Sequence, residues 1–122
     1  MAIATINPAT GKTLKTFTPL TNTEIESKLA LAESTYQKYR QTTLDRRSEW
    51  LNKAADILEN DTEKYAQIMT MEMGKTFASA IAEVNKCALV CRFYAEKAAD
   101  FLADVSIERD ASSSYVAYQP LG

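Results

Sequence analysis

Histidine is absent from this chain, and that single gap removes the Ser-His-Asp and Cys-His arrangements of nucleophilic catalysis together with the usual zinc ligand sets. Cysteine is nearly as scarce. Cys87 and Cys91 are the only two and stand one helical turn apart, so they cannot brace a secreted disulfide scaffold. A reducing compartment is the expected setting. No apolar run approaches the roughly 20 residues that a membrane-spanning helix needs, and no basic stretch followed by an apolar one opens the chain. A cytoplasmic protein without membrane contact is therefore expected. Net charge is small as well, at -2, with a sequence pI of about 5.2. Arg46-Arg47 is the only basic doublet, which leaves no stripe of cations for nucleic acid. Internal repeats are missing, and low complexity is confined to Ser112-Ser113-Ser114.

What is present is ordinary globular material. Hydrophobic residues make up 46% and charged residues 25% of 122 residues, too apolar for intrinsic disorder and long enough for one domain with a core. Residues 3 to 20 alternate β-branched and polar types around Pro8 and Gly11, which predicts a hairpin or paired extended arm. Thr21 and Thr23 each precede a glutamate by three residues, the capping-box spacing, and Ile25, Leu29, Ala32, Tyr36 and Tyr39 follow at helical intervals to about residue 40. A second amphipathic helix runs from an N-cap at Thr43 to near Asn60. A third, with Asp61 as its cap, carries Tyr65, Ile68, Met69 and Glu72 and stops at Gly74, where a left-handed cap is wanted. The fourth and longest has a stripe through Phe77, Ile81, Val84, Ala88, Cys91, Ala95, Ala98 and Leu102. Leu89, Val90, Phe93, Tyr94 and Phe101 widen it, so more than one neighbour must cover it. After Asp104 a second extended arm is expected, with no sheet of its own to join. The fold class is thus α+β, helix-rich with extended arms at both ends.

Few residues carry chemistry. The two cysteines read either as small packing residues on an apolar helix or as a redox pair or half of a soft-metal site. Glu72 places a negative charge at a helix C-terminus, which is unfavourable and predicts a specific partner. Gly74-Lys75-Thr76 matches the end of a phosphate-binding loop, but the earlier glycine and the preceding strand are missing. Lys86 and Arg92 read as surface charges or helix salt-bridge partners of Glu83 and Glu96, with an anionic substrate as the alternative. Asp45, Asp56 and Glu59 read as solvated surface. Tyr36, Tyr39, Tyr65 and Trp50 read as packing residues rather than a stacking platform for bases.

Several short motifs nevertheless stand in a telling order. Asn7-Pro8-Ala9-Thr10-Gly11 is followed by Arg46-Arg47 with Trp50-Leu51, then Glu72-Met73-Gly74-Lys75, then Cys91-Arg92-Phe93-Tyr94-Ala95-Glu96, then Pro120-Leu121-Gly122. As a set they resemble the opening segment of an NAD(P)-dependent aldehyde dehydrogenase, most of all the shorter bacterial succinate-semialdehyde dehydrogenases. The resemblance covers essentially the whole chain but only the opening part of a typical family member.

That resemblance implies a segment of an α/β aldehyde dehydrogenase fold. Residues 1–104 would be the N-terminal part of the cofactor-binding domain, a hairpin plus about four helices. Residues 105–122 would begin the oligomerisation arm, reaching the remainder of the polypeptide and identical subunits. The implied reaction is oxidation of a small aldehyde, succinate semialdehyde to succinate, through a cysteine thiohemiacetal, with NADP or NAD as cofactor. No catalytic or cofactor-binding residue of the family falls within the chain: the oxyanion asparagine belongs to a Pro-Trp-Asn segment expected after Gly122, and the nucleophilic cysteine and general-base glutamate lie further on. Cys87 and Cys91 do not match the nucleophile's context. By the same resemblance, Asn85, Lys86 and Leu89 would form one wall of the substrate channel, and Thr5, Ile6 and Glu72 would lie near a monovalent cation. The segment alone is expected to be inactive; the alternative from another class is a non-catalytic helical interaction or scaffold module.

Overall fold

The computed structural model describes residues 3–110 and 112–121; Met1, Ala2, Ala111 and Gly122, the last residue of the Pro-Leu-Gly motif, lie outside the described residues. Its elements run β1 (Ile3–Ile6), β2 (Thr13–Phe17), α1 (Asn22–Tyr39), α2 (Leu44–Asn60), α3 (Thr62–Met73), α4 (Phe77–Phe101), β3 (Val105–Ser106) and β4 (Tyr115–Val116). The helix-rich α+β expectation matches this order. Among the described residues no helix is long and apolar enough to cross a membrane.

The first hairpin is made by the chemistry of its turn. Asn7 Oδ1 accepts from the Ala9 amide at 2.9 Å, Pro8 presets its own φ, and Gly11 turns the chain at φ +68°. The Gly11 amide donates to Asn7 O at 2.8 Å, and the Asn7 amide donates to Lys12 O at 2.9 Å, which closes the loop. β1 and β2 then pair antiparallel, Ile3 with Phe17 and Thr5 with Lys15, before a bulge at Thr5/Ile6.

Each helix boundary has a local cause. Thr21, rather than Thr23, caps α1: its hydroxyl accepts from the Glu24 amide at 3.3 Å, while Glu24 Oε2 accepts from the Thr21 amide at 2.8 Å. Thr43 caps α2 through the Arg46 amide. Asp61 holds the N-cap position of α3 as expected, its carbonyl accepting from the Tyr65 amide at 3.2 Å, but its side chain makes no capping hydrogen bond. It is also the C-cap of α2, its amide donating to Ile57 O at 3.0 Å, and its φ of -106° and ψ of 24° depart from the extended geometry of a capping residue. Its carboxylate pairs with Lys64 at 3.3 Å instead. Gly74 ends α3 in the left-handed region at φ +72°, with its amide on Thr70 O.

α4 is the spine of the molecule, packing along α2 and, over a shorter contact, against α3. The buried residues are small: Ala55, Ala66, Ala80, Val84 and Ala88. Small side chains let helix axes approach closely. Ala66, Ala80 and Val84 form the core proper, with Leu58, Tyr65, Met69 and Ile81 packed around it. Two helices therefore cover one side of α4, whereas Leu89, Phe93, Tyr94 and Phe101 remain exposed at 67%, 46%, 49% and 55%. α1 buries no residue at all and is anchored at its end, where Tyr39 stacks on Trp50 at 5.8 Å and Tyr36 Oη donates to Pro120 O at 2.6 Å. The second arm has its own pairing after all, Val105 with Val116 and Ser106 with Tyr115, although it extends over two residues on each side.

Candidate functional site

Sequence motifs far apart in the chain meet at the α3–α4 corner. Pro8, from the first turn, lies so close to Gly74 that a Cβ built on the glycine would stand 2.9 Å from Pro8 Cγ. The Asn-Pro turn therefore sits against the Glu-Met-Gly-Lys segment, bringing the end of β1, with Thr5 and Ile6, towards the end of α3. The Thr5 hydroxyl is buried without a hydrogen-bond partner, as is that of Thr70. Glu72, expected to have a specific partner, is exposed and enters no hydrogen bond or ion pair among the described residues. The αL turn at Gly74 redirects the chain and leaves that last helical turn facing solvent.

Lys75 and Thr76 have structural duties that separate this corner from a phosphate-binding loop. Lys75 pairs with Glu83 on the second turn of α4. Thr76 is the N-cap of α4 by backbone geometry, with no side-chain cap hydrogen bond.

Beyond the corner, α4 presents the three residues expected to line a channel, and they do not converge on one site. Asn85 faces the α2–α3 junction, in a groove of about 500 Å³ shared with Glu59, Asp61 and Thr62. The Thr62 hydroxyl lies 3.5 Å from Asn85 Oδ1, but its proton is directed at the Leu58 and Glu59 carbonyls, 2.8 and 2.9 Å away. Lys86 lines a separate groove of about 680 Å³ with Lys75, Glu83, Cys87, Val90 and Cys91. Leu89 stands one turn after Asn85 on the same stripe and is open to solvent.

The cysteines also depart from the packing expectation. Cys87 is exposed and Cys91 half-buried, both are free thiols, and both line the larger groove. The buried stripe of α4 runs instead through Ala80, Val84 and Ala88, so the cysteine stripe lies beside it.

Arg92 was not legible as a structural clasp. Its Nε donates to Glu59 Oε1 at 3.1 Å, and its Nη2 reaches Glu59 Oε2 at 2.5 Å and Asp56 Oδ1 at 2.8 Å, which ties α4 to α2. Neither Glu96 nor Glu83 is its partner: Glu96 pairs with Lys97, and Glu83 with Lys75. Asp56 and Glu59 are accordingly engaged rather than merely solvated. The hydrogen bond from Arg92 holds the Glu59 carboxyl below its ordinary pKa, and the two carboxylates raise that of Arg92. Ser48 adds a second α2–α4 tie, its hydroxyl donating to Ala95 O at 2.6 Å.

The chain has no imidazole, and among the described residues no three His, Cys, Asp or Glu side chains gather to hold a metal. One common dinucleotide-binding motif is a glycine-rich turn between a strand and a helix. The described residues offer no such turn, since the Gly74 corner joins two helices and its lysine is paired.

The sequence model of the aldehyde dehydrogenase family matches residues 1–122. Over 122 residues the chain is 57% identical to the probable succinate-semialdehyde dehydrogenase (NADP+) of Synechocystis sp., taking in 100% of this chain and 27% of that protein. The succinate-semialdehyde dehydrogenase (NADP+) of Mycobacterium leprae is 50% identical over 125 residues, again across 100% of this chain and 27% of the relative. The crystal structure of succinic semialdehyde dehydrogenase from Streptococcus pyogenes, in complex with NADP+, superposes with a TM-score of 0.89 at 38% identity, covering 98% of this chain and 26% of that one. The chain thus spans 27% of the length of these curated relatives.

Proposed function

The chain belongs to the aldehyde dehydrogenase family, and we propose from that premise that it is the N-terminal segment of an enzyme oxidising succinate semialdehyde to succinate with NADP or NAD. The observation carrying this reading is the 57% identity, across all 122 residues, to a relative bearing that activity in its name. In this reading residues 1–104 are the N-terminal part of the cofactor-binding domain. Residues 105–122 start an arm whose open strand edges accept strands from later in the polypeptide and from an identical subunit. The enzyme is cytoplasmic.

The nicotinamide cofactor, when bound, supplies the hydride acceptor. In this reading, which follows the family resemblance, its binding groups belong to later sequence. The thiolate that attacks the aldehyde as a thiohemiacetal, and the carboxylate that assists hydrolysis, also come from beyond this segment. What this chain contributes is a wall. Lys86, from the groove it lines on α4, supplies an ammonium for the carboxylate at the far end of the substrate, and Asn85 and Leu89 flank it from the neighbouring stripe without sharing that groove. Near the α3–α4 corner, the backbone at Thr5 and Ile6 together with Glu72 forms the surroundings of a monovalent cation that fastens the first hairpin to α3.

Kinetics of the complete polypeptide test the proposal. Lys86→Ala should raise KM for succinate semialdehyde about 10-fold, as expected for loss of a charged hydrogen bond, and leave KM for butanal, which lacks the carboxylate, unchanged. An equal rise for both aldehydes would remove Lys86 from substrate recognition. The 122-residue chain alone should form no NADPH from any aldehyde, and measurable turnover would end the reading of it as a non-catalytic part.

A further inference from the structure

Cys87 and Cys91 take no part in the proposed reaction, yet they share a groove of about 680 Å³ on α4. Four residues apart on α4, they lie on one face with one sulfur above the other. Neither is in a disulfide, and Cys87 is exposed and Cys91 half-buried. We propose that they form a chelating dithiol site for a monosubstituted trivalent arsenical, both sulfurs bonding to the same arsenic atom.

Two physical constraints favour this ligand class over a disulfide or a four-ligand zinc ion. The first is span. Side chains one turn apart on a helix have Cβ atoms about 5–6 Å apart, whereas a disulfide needs about 3.5–4.5 Å. Direct oxidation would distort α4, but a bridging atom spans the gap with the helix intact. The second constraint is donor number. Glu83, one turn before Cys87, is held by Lys75, and among the described residues no third Cys, His, Asp or Glu side chain joins the pair. Zinc, which wants four ligands, is poorly served. An arsenic that already carries one carbon substituent needs two sulfurs and nothing more, and a soft thiophilic centre suits them.

The reaction balances without an oxidant. RAs(OH)2 exchanges two As–O bonds for two As–S bonds, each hydroxide leaves as water with one thiol proton, and arsenic stays trivalent. The organic substituent lies over the apolar lining of the groove at Ala82 and Val90.

Phenylarsine oxide is the probe, and the 122-residue chain, in which these are the only two cysteines, suits the test at concentrations below those at which it self-associates. Intact-mass measurement under native conditions should show one arsenical per chain with both thiols blocked to alkylation, removed by a dithiol and resistant to a monothiol. Cys87→Ser and Cys91→Ser should each weaken binding about 100-fold or more, the loss expected when an intramolecular second contact is removed. Affinity should also fall in concentrated guanidinium chloride, where α4 no longer aligns the sulfurs. Single-cysteine variants that bind as tightly as the parent, two arsenicals per chain, or an affinity unchanged by denaturant would each overturn the proposal.

Discussion

Gly74 combines two independent demands in one residue. Its φ of +72° disfavours any side chain, and Pro8 occupies the space where a Cβ would stand. Gly11 has a similar φ of +68° with nothing within 4 Å of the same position. Gly74→Ala should therefore destabilise the protein by about 2–3 kcal/mol, and Gly11→Ala by about 1 kcal/mol, in urea denaturation. Pro8→Ala in the Gly74→Ala background should recover part of the difference, because it relieves the steric overlap but not the backbone strain. Equal costs at the two glycines would mean that the turn does not rest on the α3–α4 corner. At this scale the sequence was readable wherever the cause is local. Thr21 with Glu24 and the left-handed Gly74 could be read from spacing, whereas the Pro8 contact joins residues far apart in the chain, and no spacing rule reports it. Asp61 caps α3 without a side-chain bond because it also ends α2, and that double duty depends on how tightly the two helices abut.

Between elements, Arg92 is the clasp that joins α4 to α2. Glu59 accepts two of its three hydrogen bonds and Asp56 one, so Glu59→Gln should lower the melting temperature more than Asp56→Asn, and Arg92→Met more than either. All three side chains are partly exposed, so added salt should shrink these differences. The direction with pH follows from the Glu59 carboxyl, which the Arg92 hydrogen bond lowers below its ordinary value. The stabilisation is complete above the unfolded carboxylate pKa, about 4.3, and is lost as pH falls through the lower folded value. Urea midpoints measured from neutral to acid pH should fall less steeply for Arg92→Met than for the parent, and parallel curves would refute the linkage. Helix extents were legible because periodicity and caps are written along the chain. The partners of Arg92 were not, since Glu96 lies within a turn in sequence while Asp56 and Glu59 become neighbours only once α2 and α4 have packed. The same limit applied to Cys87, whose apolar helix suggested burial that the packing of Ala80, Val84 and Ala88 gives to the adjacent stripe.

Taken whole, the molecule buries small residues and leaves large ones outside. Phe93, Tyr94 and Phe101 cluster on the open side of α4, with ring centroids 5.2, 6.0 and 6.5 Å apart, and Leu89 stands near two-thirds exposed on the same helix. A contiguous apolar surface of this kind drives association at about 25 cal/mol per Å2 covered. The isolated chain should bind hydrophobic dye and sediment as oligomers at rising concentration, and Leu89→Lys with Phe101→Glu should suppress both. A dye-silent monomer with one cooperative thermal transition would instead favour a self-sufficient interaction module. The sequence announced this breadth of apolar surface, but which side of α4 would be covered depended on where α2 and α3 came to rest.

The hydrogen bond from Tyr36 to Pro120 spans 84 positions, whereas α2, α3 and α4 follow one another directly in sequence, with α4 folding back on both. Contacts close in sequence form quickly, and a distant one must wait for the chain between its ends to be ordered. On the ribosome, the three central helices can assemble while the tyrosine is still without its acceptor, because Pro120 is among the last of these residues to be translated. The order of synthesis thus makes the Tyr36 tie the last anchor of α1 to form, although its Tyr39 end can dock on Trp50 as soon as α2 is made.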